Sequence, residues 1–339
     1  MISRASATVL LGATLTAWAS GSAQSLTGTI VASNMTTSTV SLIDAATGRT
    51  VATLETAVAP HEVAVSHDGR WAVVAEYGDR SAVGHSLLVI DLTSGAMARR
   101  IDLGELKRPH GLRFLPGDRR LVVTSEVARV IALVDFESGV VATTIETGAN
   151  ASHMVATTAS GERAFVTNIV PGSVSVFDLG QETRTALHEV GTMVEGIATT
   201  PDGREVWAGG NRSSQVHVVD PASGEVVATI PGFGMPYRIA ITADGERAVV
   251  TDPGAERIHV VDVASRRIAA TIDVPAVNGA PASPQGVTLV PDGRHAVVTL
   301  KGANQVVLLD IPAARIVATY ATGGGSDGVG FSPVVVTPR

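Results

Sequence analysis

HMVATTASGERAFVTNIVPGSVSVFD, residues 153–178, holds three short β-branched runs separated by two turns. The first run begins on a histidine, and the ASGER turn after it carries the glycine that a tight reversal with positive φ needs. AFVTN and SVSVFD then read as half-buried strands, with turn residues between them. A fourth and more polar run, TALHEV, closes the unit.

The same order of runs returns along the whole chain. The first run recurs as HEVAVS (61–66), HGLRFL (110–115), EGIATT (195–200), YRIAIT (237–242), QGVTLV (285–290) and DGVGFS (327–332). The second recurs as WAVVAE, RLVVTS, EVWAGG, AVVTD and AVVTL, the third as SLLVID, VIALVD, QVHVVD, RIHVVD and QVVLLD. The fourth recurs as MARRID, VATTIE, VATIP, AATID and VATYA. GTIVASN (28–34), TVSLID (39–44) and VATLE (51–55) add one more second, third and fourth run at the N-terminal end. Each run is thus present seven times, at a period of roughly 42–49 residues, and nothing reads as a long amphipathic helix.

Four strands per repeat and seven repeats predict an all-β, seven-bladed β-propeller with four antiparallel strands in each blade. Because the series starts on a second run and ends on a first run, the strand near Val329 is expected to pair with GTIVASN. That closes the ring and leaves no open sheet edge between the ends. The aspartate ending each third run (Asp44, Asp91, Asp135, Asp178, Asp220, Asp262, Asp310) precedes a short turn, which suits a backbone-capping role better than a carboxylate ring.

In a propeller the first run is the innermost strand, and its first residue stands at the mouth of the central channel. Around the ring these residues are His61, His110, His153, Glu195, Tyr237, Gln285 and Asp327, polar in every blade. Three imidazoles followed by a glutamate are what one divalent cation such as zinc or copper asks for, so His61, His110, His153 and Glu195 are the candidate metal ligands. Without metal, Glu195, His153 and Arg238 could act as acid, base and substrate anchor. Tyr237, Gln285, Asp327, Glu62, Glu76, Tyr77, Asn168 and Asp252 are candidates for ligand binding, with Glu126 and Lys301 ending strands on the same face. The competing reading is a polar plug, hydrogen-bonded to water at the channel entrance. EYGDRSAVGHS (76–86) could fold over the mouth, although a solvated loop is the simpler reading.

AFVTN followed by SVSVFD, together with TPDGREVWAGG and TADGERAVVTD, resembles the YVTN-type β-propeller repeat of bacterial exported proteins, blade after blade. The resemblance implies the fold and an exported, YncE-like protein. It does not choose an activity, because similar scaffolds carry lactonases, lyases and redox domains.

Residues 1–23 read as a cleavable signal peptide: a basic start at Arg4, an apolar stretch too short to span a bilayer, and small residues before Ala23. Residues 24–339 are then a single propeller domain, periplasmic or secreted, with no membrane span after cleavage. With no cysteine, covalent haem c, iron–sulfur clusters and thiolate zinc sites are excluded. A formal net charge of −7 and no basic cluster argue against nucleic acid. GGGSDG (323–328) spells G-x-G-x-x-G and, from Gly324, G-x-S-x-G. It leads into an apolar run and opens no helix, so it reads as a flexible connection rather than a Rossmann fingerprint or a nucleophile elbow. HExxH and an EF-hand loop do not occur. The sequence therefore points to a monomeric binding scaffold for a small molecule or an exported protein at its mouth. The alternative is a lactonase-like hydrolase or lyase working through the His61/His110/His153/Glu195 arc.

Overall fold

The computed structural model describes residues 26–337. The expected signal peptide lies outside these residues. Twenty-eight strands form seven four-stranded antiparallel sheets, with no helix among the described residues. The innermost strands are β4 (Pro60–Val65), β8 (Pro109–Phe114), β12 (Asn150–Thr157), β16 (Val194–Thr199), β20 (Arg238–Ile241), β24 (Pro284–Leu289) and β28 (Ser326–Ser332). Each contacts the next, and β28 contacts β4, so they enclose one channel. The ring closes as expected, with β28 pairing β1 (Thr29–Asn34) through Thr29↔Ser332, Ile30↔Phe331, Val31↔Gly330 and Ala32↔Val329.

The core lies between blades. Val73, Leu87 and Val89 of one blade pack on Leu112, Phe114 and Leu121 of the next, and six further clusters of this kind complete the ring. Trp207 is fully buried in such a cluster, and Trp71 packs edge-on against Phe136, so both tryptophans are structural. The third-strand aspartates cap turns: Asp44 Oδ1 accepts the Ala46 and Thr47 N–H groups, Asp178 Oδ1 those of Gly180 and Gln181, and Asp135 Oδ1 that of Ser138.

A second regularity shapes the channel mouth. In six of the seven blades the inner pair carries a β-bulge, and the bulge falls on the first two residues of the innermost repeat. His110 and Gly111, for example, together oppose Thr124, because Pro109 pairs Ser125 and Leu112 pairs Val123. A bulge bends the strand and re-aims a side chain, here at every rim position except Tyr237. The second residue is often glycine because the next blade leaves no room: a Cβ on Gly111 would lie 2.7 Å from the His153 carbonyl oxygen, and one on Gly286 2.1 Å from that of Asp327.

The bulges are held from the neighbouring strand. Thr124 Oγ1 accepts the Gly111 N–H at 2.9 Å and donates to the His153 carbonyl of the next blade at 2.6 Å. Thr167 donates to the Glu195 carbonyl, Thr251 to that of Gln285 and Thr299 to that of Asp327, each at 2.6 Å. Ser33 donates to the His61 carbonyl. Ala75 and Gly209 occupy this position in the two remaining blades and offer no hydroxyl.

Two outcomes follow for stability. Thr167→Val keeps the shape but strands the Glu195 carbonyl, so it should destabilise by about 1–3 kcal/mol in denaturant unfolding, whereas Thr167→Ser should cost less. The turn aspartates set the acid limb. Hydrogen bonds from Ser138 hold Asp135, and those from Ser265 hold Asp262, below the ordinary value of 3.8. A carboxylate with a depressed folded-state pKa stabilises the fold above its unfolded pKa and loses that contribution as pH falls. The melting temperature should therefore drop as pH is taken below 3.8, and Asp262→Asn should flatten that drop.

Candidate functional site

The bulges bring His61, His110 and His153 into one stack. The His110 ring lies 4.1 Å from that of His61 and 3.7 Å from that of His153, centroid to centroid. Tyr77 closes the outer side, with its ring edge-on at 5.2 Å from His61 and 5.4 Å from His110. All three histidines are buried, and His110 is 0% exposed.

Each outer histidine lies between two carboxylates. His61 Nδ1 is 3.6 Å from Glu62 Oε1 and 3.8 Å from Asp327 Oδ1. His153 Nδ1 is hydrogen-bonded to Glu126 Oε1 at 2.7 Å, and its Nε2 is 3.7 Å from Glu195 Oε2. The other Glu126 oxygen accepts the Tyr77 hydroxyl at 2.6 Å. Burial, with Glu126 adding to it, pushes the Tyr77 hydroxyl up to about 12. Burial would raise Glu126 and Asp327, but His153 and Tyr77 hold the first, and His61 and Lys301 the second, below the ordinary carboxylate value. Lys301 Nζ donates to Asp327 Oδ2 at 2.6 Å.

His110 differs from its neighbours. Neither of its ring nitrogens has a hydrogen-bond partner, and the same holds for His61 Nδ1, His153 Nε2, Gln285 Oε1 and Asp327 Oδ1. Burial, then the adjoining His153, His61, Arg238 and Lys301, hold its pKa well below the ordinary histidine value, so the ring is neutral. A neutral imidazole offers one lone pair and one N–H, and leaving both unmet in a buried place is costly.

Two sets of potential ligands meet at this ring. In His61, Glu62 and His110, and again in His110, Glu126 and His153, one donor atom from each residue lies within 4.8 Å of the others. Glu195 belongs to neither set. It sits beside His153 and, at 3.9 Å, beside Arg238 Nη1. Around the mouth and its floor four carboxylates (Glu62, Glu126, Glu195, Asp327) face three cations (Arg238, Lys301, and Arg108, whose guanidinium lies 4.8 Å over the Tyr77 ring), which leaves a deficit of one positive charge. Nitrogen and carboxylate oxygen donors with that deficit match a borderline divalent ion.

Below the rim, Glu62 and Arg238 reach across the channel from blades that are not neighbours. Arg238 Nε and Nη2 both donate to Glu62 Oε1, at 3.0 and 2.7 Å. Burial would raise Glu62, but Arg238 and His61 hold it well below the usual carboxylate range. The Arg238 guanidinium also covers the Tyr237 ring at 4.2 Å. This pair is the floor of the mouth.

Not every residue expected here reaches it. Tyr77, Glu126 and Lys301 do. Glu76, Asn168 and Asp252, each one strand position earlier, are fully buried inside their blades. Glu76 accepts from the Ala57 N–H, Ser86 and Arg100; Asn168 donates to Ser173 and Ser175; Asp252 accepts from the Gly234 and Met235 N–H groups. Successive side chains of a strand point to opposite sides, so one residue separates a rim position from a loop anchor. In sequence the two positions look alike, since both are polar and end the same strand. The hydroxyl bridges behind the rim were also missed, although the recurrent threonine of VVTS, FVTN, VVTD and VVTL was their signal. The other histidines lie elsewhere: His67 and His295 pair with Asp118 and Asp292 in opposite-face turns, and His85 pairs with Asp102 at the exposed outer strands.

No protein-family model matches the chain. No curated protein matches it in sequence. Among solved structures it is similar to a chain of the hydrazine synthase of Kuenenia stuttgartiensis, with a TM-score of 0.70 and 18% identity over 78% of this chain and 87% of that one. At that identity the likeness is one of fold alone, and it agrees with the seven four-stranded sheets that make the chain a seven-bladed β-propeller.

Proposed function

We propose that the protein is an exported binding propeller of the YVTN-repeat type whose channel mouth takes one divalent cation, zinc or copper, on His110 together with one of its two flanking histidines. The observation that carries this is His110, fully buried, with two unpartnered ring nitrogens, at the point where two ligand triads overlap. Glu62 or Glu126 would complete the donor set, and the charge deficit of the rim favours the ion. A bound cation would supply a Lewis-acidic anchor for a small anionic or carbonyl-bearing ligand, or for a side chain of an exported partner protein. The export step rests on the leader-like residues 1–23. The family assignment rests on the repeat text.

Untagged protein purified from a periplasmic extract should carry about one zinc or copper per chain by elemental analysis. His110→Ala should lose it while its far-ultraviolet circular dichroism stays that of the wild type. Metal-free protein in both cases would make His110 a water-bonded plug and sink this reading.

One feature favours a second reading, a hydrolase or lyase. His153 is oriented by Glu126 on one nitrogen and leaves the other unpartnered, which is how a carboxylate prepares a general base. A binding protein should show no turnover on panels of lactones and esters. Turnover that falls by about 10²–10⁴-fold in His153→Ala, and less in Glu126→Gln, would replace the binding reading with the enzymatic one.

A further inference from the structure

The channel continues beyond the Glu62–Arg238 floor and opens on the opposite face, among the turns that hold His67, Pro291 and Pro333. There it forms a cavity of about 570 Å³, within the range of small-molecule sites. Its size has a simple origin. The fourth residue of the innermost repeat is Ala64, Ala156, Ala198, Ala240, Thr288 or Gly330 in six blades, and all six line the cavity. In the seventh blade that residue is Arg113.

Arg113 is the odd member by charge as well as by length. Its Nη1 donates to the Leu112 carbonyl at 3.1 Å, and among the described residues no carboxylate lies within 4.0 Å of its guanidinium. Burial holds its pKa below the ordinary arginine value; Glu62 works against that and Arg238 with it. The other charges on the wall, Glu62 and Arg238, are committed to one another. His67 stands at the outer opening and pairs with Asp118. Val65, Ile241 and Leu289 are half-buried and form an apolar part of the wall, beside the hydroxyls of Ser66, Thr157 and Thr199. The chamber therefore carries one unpaired positive charge at a half-buried position on a wall of mixed polarity, where a charge-assisted hydrogen bond is stronger than in open water.

We infer that this lower chamber is a second binding site, separate from the mouth, for a small monocarboxylate with an apolar body, whose carboxylate pairs with Arg113. The apolar part would lie against Ile241 and Leu289, in space that the ring of alanines leaves open. Nothing in this inference requires the mouth to hold metal.

Isothermal titration of the full-length mature protein with octanoate, and separately with octylammonium, tests it. Octanoate should bind at one site and octylammonium about tenfold more weakly or not at all, because the same tail then brings the wrong charge to Arg113. Arg113→Met should weaken octanoate by about tenfold or more, with Arg113→Lys intermediate. Ala240→Leu, which fills the chamber without altering any charge, should weaken it as well. His110→Ala should bind octanoate as the wild type does. Equal binding of both probes, no binding of octanoate, unchanged affinity in both Arg113→Met and Ala240→Leu, or loss in His110→Ala would each overturn the proposal.

Discussion

The constraint on which the channel depends is a hydroxyl group placed between two blades. Thr124, Thr167, Thr251 and Thr299, with Ser33, each donate to the backbone carbonyl of a rim residue in the following blade. Those carbonyls belong to bulged residues that the regular ladder leaves without a partner, so the threonine satisfies a buried acceptor and fixes the bulge together. Packing between blades supplies most of the cohesion, but it is non-directional. The hydroxyl bridges are directional, and they set where His61, His153, Glu195, Gln285 and Asp327 begin.

From that placement the channel divides. The bulge carries the first residue of each repeat to the mouth and leaves the second, Glu62 or Arg238, just beneath it. Glycine in the second position of four other blades lets the inner strands approach closely enough for the two charged residues to meet across the axis. A buried ion pair of this kind is weak evidence for stability, because desolvation offsets much of the attraction. Its consequence here is spatial. It separates an upper space rich in carboxylate and imidazole from a lower one in which Arg113 is the unpaired charge.

The fold was legible because it is written seven times. Repeated apolar alternation and glycine turns need no knowledge of the third dimension, and the odd distribution of runs at the two ends dictated the closure seen at β28 and β1. The rim was legible for the same reason, since the first residue of a repeat occupies the same place in every blade. What failed was single-residue resolution. Glu76 and Tyr77 are adjacent, yet one ties down a loop inside the blade and the other faces the histidines. That difference depends on strand register at the bulge, which apolar periodicity does not report. Arg113 was invisible for a different reason: its meaning lies in its being surrounded by alanines from other blades, a comparison along the fourth column of the repeat rather than along the chain.

Function in a pseudo-symmetric ring must reside where the symmetry is broken. A feature shared by all seven blades, such as the turn-capping aspartates, maintains the repeat and cannot single out one ligand. The departures are few and lie around one axis. Three consecutive blades place histidine at the rim; two blades place Glu62 and Arg238 where four others have glycine; one blade places arginine in a ring of small residues. Ala75, the position behind His110, lacks the hydroxyl bridge found behind His61 and His153. The central histidine of the stack is therefore held by its neighbours rather than by a backbone clamp. Its unpartnered nitrogens and its unclamped carbonyl coincide, and both set His110 apart from the other rim residues.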